Sequence, residues 1–248
     1  MKIGIITCDG NEKWTSCYKE ICDSCFRRDG DTELEFFHAW KGELPTIENT
    51  RHLDALVSLG SAHMVRENLD WMADLSNFFL ALENSHIKVL ALCFSHQLVN
   101  RAYGGKVDFG PDFVFGADRI KFRRSDKYPR AFATLLDKYR SNKSSLLEWN
   151  LLQSHNDEVV SIGEGAELVA SSKRCKNEIV LVRKNILSMQ CHPDLTPQLM
   201  MEKIWPAVLS KGFVKDTQVD QVKREMLDVD TKISLNFIRD FLGADVKS

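Results

Sequence analysis

A cysteine at the junction of a predicted strand and a predicted helix is the residue best placed for chemistry in this sequence. Lys88–Leu92 is an apolar run typical of a buried strand, and residues 95–103 have helical spacing. Cys93 lies between them, with the small residues Ala91 and Ser95 two positions away on either side. This is the pattern of a nucleophile elbow, where a tight turn exposes the side chain and the helix N-terminus favours a thiolate. A cysteine in an apolar strand is more often inert packing, so the interpretation needs a base elsewhere in the chain.

The candidate base is His192, which lies three residues after an apolar run at residues 186–189. Pro193 restricts the backbone after it, and Asp194 is close enough in sequence to hold the imidazole. A nucleophile, a base and a third group that orients the base form the triad of nucleophilic catalysis. Taken alone, such a segment is more often an exposed turn with an incidental His-Pro. With Cys93, it predicts a site for thiol acyl transfer.

The two segments, in this order, resemble the class I glutamine amidotransferase family, whose members split the side-chain amide of glutamine with a Cys-His-acid triad. The family pattern is Gly-x-Cys-x-Gly-x-Gln, followed later in the chain by a strand that ends in His-Pro-Glu. The matching positions here are Ala91, Cys93, Ser95, Gln97, His192, Pro193 and Asp194. A third segment, residues 154–159 (SHNDEV), is similar to the family's Ser-His-Gly-Asp-x-Val, which lines the glutamine pocket with backbone groups. Ala91 and Ser95 replace glycines of the pattern, and because both side chains are small we expect the turn to form with little free space around it. Asp194 replaces a glutamate of the pattern.

Further positions make residues 1–200 similar to the stand-alone γ-glutamyl peptidase branch of this family. These positions are Gly60, Ser61, Trp71, Phe94, residues 104–107 (GGKV) and residues 110–112 (GPD). The resemblance implies a thiol hydrolase that cleaves the γ-glutamyl amide bond of γ-glutamyl peptides or of glutamine through a cysteine thioester. Its substrate is then a small γ-glutamyl molecule.

The resemblance also implies a role for each site residue. Cys93 attacks the γ-carbonyl carbon, His192 takes the thiol proton and returns it to the leaving amine, and Asp194 orients His192. The N–H groups of Gly60 and Phe94 hold the oxygen of the tetrahedral intermediate. Gln97, with the backbone near Asn156 and Asp157, is expected to bind the amino acid end of the glutamyl group.

Two other functions stay open on the sequence. One is a glutaminase subunit that delivers ammonia to a separate synthetase, which would then be its protein partner. The other is a catalytically weak homologue that binds γ-glutamyl ligands or regulates another protein. Turnover by the pure chain, turnover only with a partner, and ligand binding without turnover distinguish the three functions.

The segments that must position Cys93 and His192 predict an α/β fold. The predicted strands in the first half of the chain cover residues 3–7, 34–40, 55–59 and 88–92. The predicted helices there cover residues 14–28, 69–82 and 95–103. This alternation implies a parallel sheet with helices on both faces.

The pattern changes after Lys106. Short alternating runs indicate antiparallel or mixed strands at residues 119–122, 166–171, 178–182 and 186–189. Two helices are expected near residues 197–209 and 221–241. We therefore expect a flavodoxin-like, doubly wound, mostly parallel sheet with an antiparallel extension and C-terminal helices. The whole chain, residues 1–248, is expected to form one domain, with the motifs in residues 1–200 and a helical extension in residues 201–248.

Composition excludes several classes of protein and partner. The chain has 248 residues, of which 44% are hydrophobic and 27% charged, so it is neither disordered nor a coiled coil. Lys and Arg total 33 against 35 Asp and Glu, so the chain has no net positive charge that would attract nucleic acid or an anionic membrane. No run approaches the roughly 20 apolar residues of a membrane span.

The chain has seven cysteines, which are too few for a disulfide framework at this length, and an odd number cannot all be paired. We expect reduced thiols and a cytoplasmic location. Cys17, Cys22 and Cys25 share one helical stripe without a second pair at zinc spacing, so no metal is expected. No nucleotide or other cofactor is expected either, because Gly104-Gly105-Lys106 lacks the features of a phosphate loop.

Overall fold

One sheet of nine strands forms the centre of the computed structural model, which describes residues 1–27, 31–140 and 146–243. The strands are β1 (Lys2–Thr7), β2 (Glu33–His38), β3 (Ala55–Ser58), β4 (Lys88–Leu92), β5 (Lys106–Phe122), β6 (Glu148–Ser161), β7 (Ala166–Ser171), β8 (Ile179–Val182) and β9 (Ile186–Met189). Their order across the sheet is β2-β1-β3-β4-β9-β8-β7-β5-β6.

The sheet has a parallel half and an antiparallel half. The pairs β1–β2, β1–β3, β3–β4 and β4–β9 are all parallel, which gives the flavodoxin-like order across five strands. The pairs β9–β8, β8–β7, β7–β5 and β5–β6 are antiparallel. The predicted doubly wound sheet with an antiparallel extension is therefore confirmed.

Helices cover both faces of the sheet. They are α1 (Glu12–Thr15), α2 (Tyr18–Phe26), α3 (Asp70–Ala81), α4 (Phe94–Ala102), α5 (Arg130–Lys138), α6 (Pro197–Leu199), α7 (Trp205–Ser210), α8 (Val219–Glu225) and α9 (Thr231–Gly243). A π-helical segment, Met200–Ile204, joins α6 to α7, and short 3-10 helices occur at Ala39–Lys41, Asn49–His52, Val65–Glu67 and Asp216–Gln218. Among the described residues, no helix has the length and apolar character needed to cross a membrane.

Each face has its own hydrophobic core. On one face, α2, α5 and α9 bury Phe26, Phe132 and Phe237 against the sheet. On the other face, α3 and α4 bury Phe79 and Leu98. Burying each of these side chains contributes roughly 1.5–3 kcal/mol. Because apolar residues on both faces of β1, β3 and β4 are covered, these strands appear as continuous apolar runs in the sequence.

A third apolar cluster packs α7 and α8 onto the β5–β6 hairpin. Phe115 of β5 contacts Trp205 of α7 with ring centroids 5.6 Å apart, and Leu152 of β6 belongs to the same cluster. The chain enters this cluster at Leu195, directly after the His192 segment. The C-terminal helices therefore pack beside the strand end that carries His192.

Two predicted helices are each divided in the structure. The helix predicted at residues 14–28 is divided into α1 (Glu12–Thr15) and α2 (Tyr18–Phe26), and its predicted end at Arg28 lies outside the described residues. The predicted helix at residues 221–241 is divided into α8 and α9, because the segment between them bonds to β6 instead. Asp230 Oδ2 accepts the Asn150 N–H at 2.7 Å, and the Asp230 N–H donates to the Asn150 carbonyl at 2.8 Å.

The antiparallel half contains elements that the sequence pattern did not predict. β5 covers Lys106–Phe122, whereas alternation indicated only residues 119–122. A register shift between Phe109 and Val114, and the left-handed Gly116 at φ 103°, interrupt the alternation of side chains along it. β6 and α5 were also not predicted as elements.

The carboxyl ends of β3, β4 and β9 lie side by side because these strands are parallel neighbours. The residues that follow them are Gly60, Cys93 and His192. Segments far apart in sequence therefore meet at one edge of the sheet, where parallel α/β proteins bind their ligands.

Candidate active site

Cys93 occupies a strained turn between β4 and α4. Its backbone angles are φ 47° and ψ −105°, a conformation that costs a non-glycine residue on the order of 1–3 kcal/mol. Its N–H donates to the Met189 carbonyl at 2.7 Å, which ties the end of β4 to the end of β9. The side chain is 7% exposed. The geometry is that of a nucleophile elbow.

Ser95 replaces a glycine of the family pattern and is accommodated by hydrogen bonding. Its hydroxyl donates to the Leu59 carbonyl at 2.7 Å and lies 2.8 Å from the Ser58 hydroxyl and 3.5 Å from the Cys8 sulfur. All of these groups belong to strand ends beneath α4. The added side chain therefore joins the elbow helix to the loop that follows β3.

His192 is fixed through its backbone and its ring. Its N–H donates to the Leu152 carbonyl of β6 at 2.9 Å. Its Nδ1 lies 3.1 Å from Asp194 Oδ1, and both side chains are buried. The S–H of Cys25 donates to the Asp194 carbonyl oxygen at 3.4 Å. An aspartate, shorter by one methylene than the family's glutamate, thus still reaches the imidazole.

The charge on His192 is set by its two partners. Burial disfavours protonation of the ring, but the charges of Cys93 and Asp194 and their hydrogen bonds outweigh it and raise the pKa of His192 to about 10. At neutral pH the ring is therefore an imidazolium, and its positive charge lies beside the Cys93 sulfur. A cysteine next to a protonated histidine is the arrangement that thiol acyl transfer uses.

Gly60 lies against both His192 and Cys93. A Cβ atom built on Gly60 would be 3.3 Å from His192 Cε1 and 3.5 Å from Cys93 Cβ. The loop is held on its far side by Asp9, whose carboxylate accepts the N–H groups of Asn11 and Ala62, each at 2.8 Å. Asp9 is 4% exposed, so these bonds are shielded from water.

Phe94 is the first residue of α4, and the first N–H groups of a helix have no acceptor within the helix. Its ring is buried and lies 5.5 Å, between centroids, from Trp71 of α3. The two predicted oxyanion donors thus lie at the start of α4, for the Phe94 N–H, and in the loop after β3, for the Gly60 N–H.

The predicted substrate-binding residues lie on α4 and β6, and two of them are already bonded within the protein. Gln97 Nε2 donates to the Asp157 carbonyl at 2.8 Å and to Gln190 Oε1 at 3.0 Å. The Asp157 carboxylate binds Arg66 through two hydrogen bonds of 2.9 and 3.0 Å. Asn156 is half-buried and, by strand alternation, faces the other side of β6.

Two further histidines near the site stay neutral. Burial lowers the pKa of His155 to about 4 and that of His96 to about 3. His155 Nδ1 lies 3.2 Å from the Asp157 carbonyl oxygen, and His96 Nδ1 lies 2.9 Å from the Ser188 hydroxyl. Neither ring has the basicity of His192 at neutral pH.

All seven cysteines are buried and free of disulfides. Burial raises the pKa of six of these thiols, those of Cys8, Cys17, Cys22, Cys25, Cys175 and Cys191. Within the part of the chain that the structure describes, no group of three or more His, Cys, Asp or Glu side chains is arranged to hold a metal ion.

The family model for class-I glutamine amidotransferases matches residues 63–209, which include Cys93, His192 and Asp194. The chain belongs to this family. Among curated relatives of this amidotransferase homologue, γ-glutamyl peptidase 4 of Arabidopsis thaliana is 26% identical over 91% of this chain and 87% of its own length. A glutamine-hydrolysing GMP synthase polypeptide of Sulfolobus acidocaldarius is 28% identical over 60% of this chain and 72% of its own length.

Solved structures show the same fold. A glutamine amidotransferase from Methylobacillus flagellatus superposes with a TM-score of 0.71 at 17% identity, covering 98% of this chain and 92% of that one. A glutamine amidotransferase from Thermotoga maritima superposes with a TM-score of 0.70 at 15% identity, covering 99% and 98% of the two chains. At these identities the likeness concerns the amidotransferase fold and not the substrate.

Some groups around the candidate site were not predicted from the sequence. Gln190 Nε2 lies 3.5 Å from Cys93 Sγ, and the residue is fully buried. The signal was present, because Gln190 precedes His192 by two positions, a spacing that places side chains on the same side of an extended chain. Asp9 and Arg66 offered no such signal, since their partners Ala62 and Asp157 are distant in sequence.

Proposed function

We propose that this chain is a thiol hydrolase that cleaves the γ-glutamyl amide bond of γ-glutamyl peptides or of glutamine. The observation that carries the proposal is the pairing of Cys93, in its strained turn, with a His192 ring that Asp194 holds at 3.1 Å. The γ-glutamyl peptidase among its relatives supports this substrate class, because the similarity extends over 91% of the chain.

The reaction begins when the Cys93 thiolate attacks the γ-carbonyl carbon. A C–S bond forms, the carbonyl π electrons move to oxygen, and the N–H groups of Gly60 and Phe94 stabilise the oxyanion. The His192 imidazolium donates its Nε2 proton to the leaving nitrogen as the C–N bond breaks. An amine departs, and a γ-glutamyl thioester on Cys93 remains.

Water completes the cycle. Neutral His192 removes a proton from a water molecule that attacks the thioester carbonyl, and Asp194 stabilises the imidazolium that forms. The tetrahedral intermediate collapses, the C–S bond breaks, and glutamate leaves while the Cys93 thiolate is restored. Every proton in this scheme passes through His192.

We also propose that the amino acid end of the substrate binds near Gln97, Asn156 and Asp157. Since the Gln97 Nε2 protons are already donated to Asp157 and Gln190, this residue offers a ligand its Oε1. Because the half-buried Asn156 side chain faces the other side of β6, this residue would contribute its backbone groups to the substrate. An α-linked glutamyl peptide would leave such buried polar groups unpaired and should be rejected.

A turnover screen of the pure chain tests this function. We expect a higher kcat/KM for γ-glutamyl dipeptides than for glutamine, no cleavage of α-glutamyl dipeptides, and no activity in Cys93→Ser. A glutamine-like electrophile should label Cys93, as read by mass spectrometry; an adduct on Cys191 or Cys25 with Cys93 free contradicts the assignment.

The GMP synthase polypeptides among the relatives support a second candidate, a glutaminase that supplies ammonia to a synthetase. Robust glutamine hydrolysis without peptide cleavage, or hydrolysis that appears only when a synthetase is added, favours that function. Tight binding of γ-glutamyl ligands without any turnover favours a regulatory homologue.

A further inference from the structure

The Gln190 side chain lies against the sulfur of Cys93. The residue directly follows β9, it is fully buried, and its Nε2 is 3.5 Å from Cys93 Sγ. For a hydrogen bond to sulfur this distance is ordinary, because sulfur is larger than oxygen. A buried amide therefore touches the atom that, on the proposed function, attacks the substrate.

The orientation of this amide follows from its neighbours. The Asp157 backbone carbonyl can only accept, so the group of Gln97 that lies 2.8 Å from it must be the amide nitrogen. The second proton of the same nitrogen points to the Gln190 atom at 3.0 Å, which must then be Oε1. Gln190 therefore presents Nε2, and not its oxygen, to Cys93.

An amide donor distinguishes the two protonation states of the sulfur. A thiolate accepts the N–H strongly, because hydrogen bonds to charged groups are stronger than those between neutral groups. A neutral thiol gains much less from the donor. Its own proton can be directed to the Ser154 carbonyl oxygen, 3.9 Å from Sγ.

We propose that Gln190 is a catalytic residue of this site, an amide donor that stabilises the Cys93 thiolate, and that Gln97 is the positioning residue that aims it. The proposal rests on the proposed function, in which this thiolate attacks the substrate. The donor acts twice in each cycle. It stabilises the sulfur before attack, and it stabilises the same sulfur as the leaving group when the thioester is hydrolysed.

Gln190→Met tests the donor, because methionine has a similar length and cannot donate. Gln153→Met is the matched control: Gln153 is also fully buried, and its Nε2 donates to Glu178 Oε1 at 3.0 Å rather than to sulfur. The measurement is the rate of Cys93 alkylation by iodoacetamide from pH 5 to pH 10. It needs no substrate, and urea unfolding confirms that each variant is folded.

We expect the pH at which half of Cys93 reacts to rise by about one unit in Gln190→Met, a tenfold change in ionisation. Gln153→Met should match the wild type. Gln97→Met should shift the midpoint in the same direction, because Gln190 loses the bond that fixes its orientation. If Gln190→Met does not fold, Gln97→Met carries the test alone.

An unchanged midpoint in the folded variants overturns the role of Gln190 while leaving the hydrolase intact. A wild-type chain that shows neither turnover nor selective alkylation of Cys93 overturns the proposed function instead. A shift of equal size in Gln153→Met also overturns the proposal, because the effect would then come from a disturbed core and not from the donor.

Discussion

Replacing Gly60 with alanine places one methyl group against both reacting side chains. The new carbon would lie 3.3 Å from His192 Cε1 and 3.5 Å from Cys93 Cβ. Carbon atoms in contact normally stay about 3.5–4.0 Å apart, so the imidazole or the loop must move by a few tenths of an ångström. The backbone of Gly60 is outside the left-handed region, so alanine adds no conformational strain there.

The loop is braced on both sides of Gly60, by the Ser95 bond to the Leu59 carbonyl and by the Asp9 bond to the Ala62 N–H. The displacement must therefore fall largely on the imidazole. The methyl group also occupies space next to the sulfur, where a substrate carbonyl has to enter. Misplacement of reacting groups by about 1 Å costs on the order of 10²-fold in rate, so for a shift of a few tenths of an ångström we expect kcat/KM to fall by roughly 10-fold, or about 1.4 kcal/mol.

Stability should change far less than activity. Alanine in place of glycine stabilises by about 0.4–1 kcal/mol through the unfolded chain, and the single tight contact offsets part of this gain. We expect the free energy of unfolding, from urea titration, to stay within about 1 kcal/mol of wild type. Ser61→Ala is the control in the same loop, since its hydroxyl accepts the His63 N–H at 3.0 Å, and it should keep most of the activity. Wild-type kcat/KM for γ-glutamyl dipeptides in Gly60→Ala would refute this account of the site.

Three further predictions concern the same groups. His192→Ala should lower kcat far more than Asp194→Asn, because the base transfers protons whereas the acid orients it; equal losses contradict these roles. Ser95→Ala leaves the Leu59 carbonyl without its 2.7 Å donor and should lower the free energy of unfolding by about 1–3 kcal/mol in urea titration, and an unchanged value contradicts that bond. His192 has a pKa near 6.5 when unfolded and about 10 when folded, so its stabilising contribution is fully present below pH 6.5 and lost as the pH rises through 10. The difference in unfolding free energy between wild type and His192→Gln should therefore shrink over that range; a constant difference contradicts the raised pKa.

Local patterns in the sequence were sufficient for the parallel half of the fold. β4 was predicted at Lys88–Leu92, the bounds that the structure has, because its run of apolar residues reflects burial on both faces. The elbow at Cys93 and the short spacing from His192 to Asp194 were also visible, since both depend on neighbours within a few residues.

The antiparallel half was only partly visible because its pattern is interrupted. β5 bends at the register shift after Phe109 and again at the left-handed Gly116, so its side chains do not keep one period along the strand. The helix expected at residues 221–241 is divided because the segment containing Asp230 bonds to Asn150 of β6. In both cases contacts with β6 determine the structure, because they outweigh the local helix or strand preference of the segment.

The identity of the groups around Cys93 was decided by the tertiary structure. Gln190 and Cys93 are 97 positions apart, and Asp9 and Ala62 are 53 apart, so no periodicity links them. They meet because parallel pairing brings the ends of β1, β3, β4 and β9 to one edge of the sheet. The sequence by itself determined the strands and helices of the parallel half and which residues could be nucleophile and base. Which buried amide touches the sulfur, and which carboxylate holds the loop at Gly60, depended on strand order and register, because hydrogen bonds form only between groups that the packed chain brings into contact.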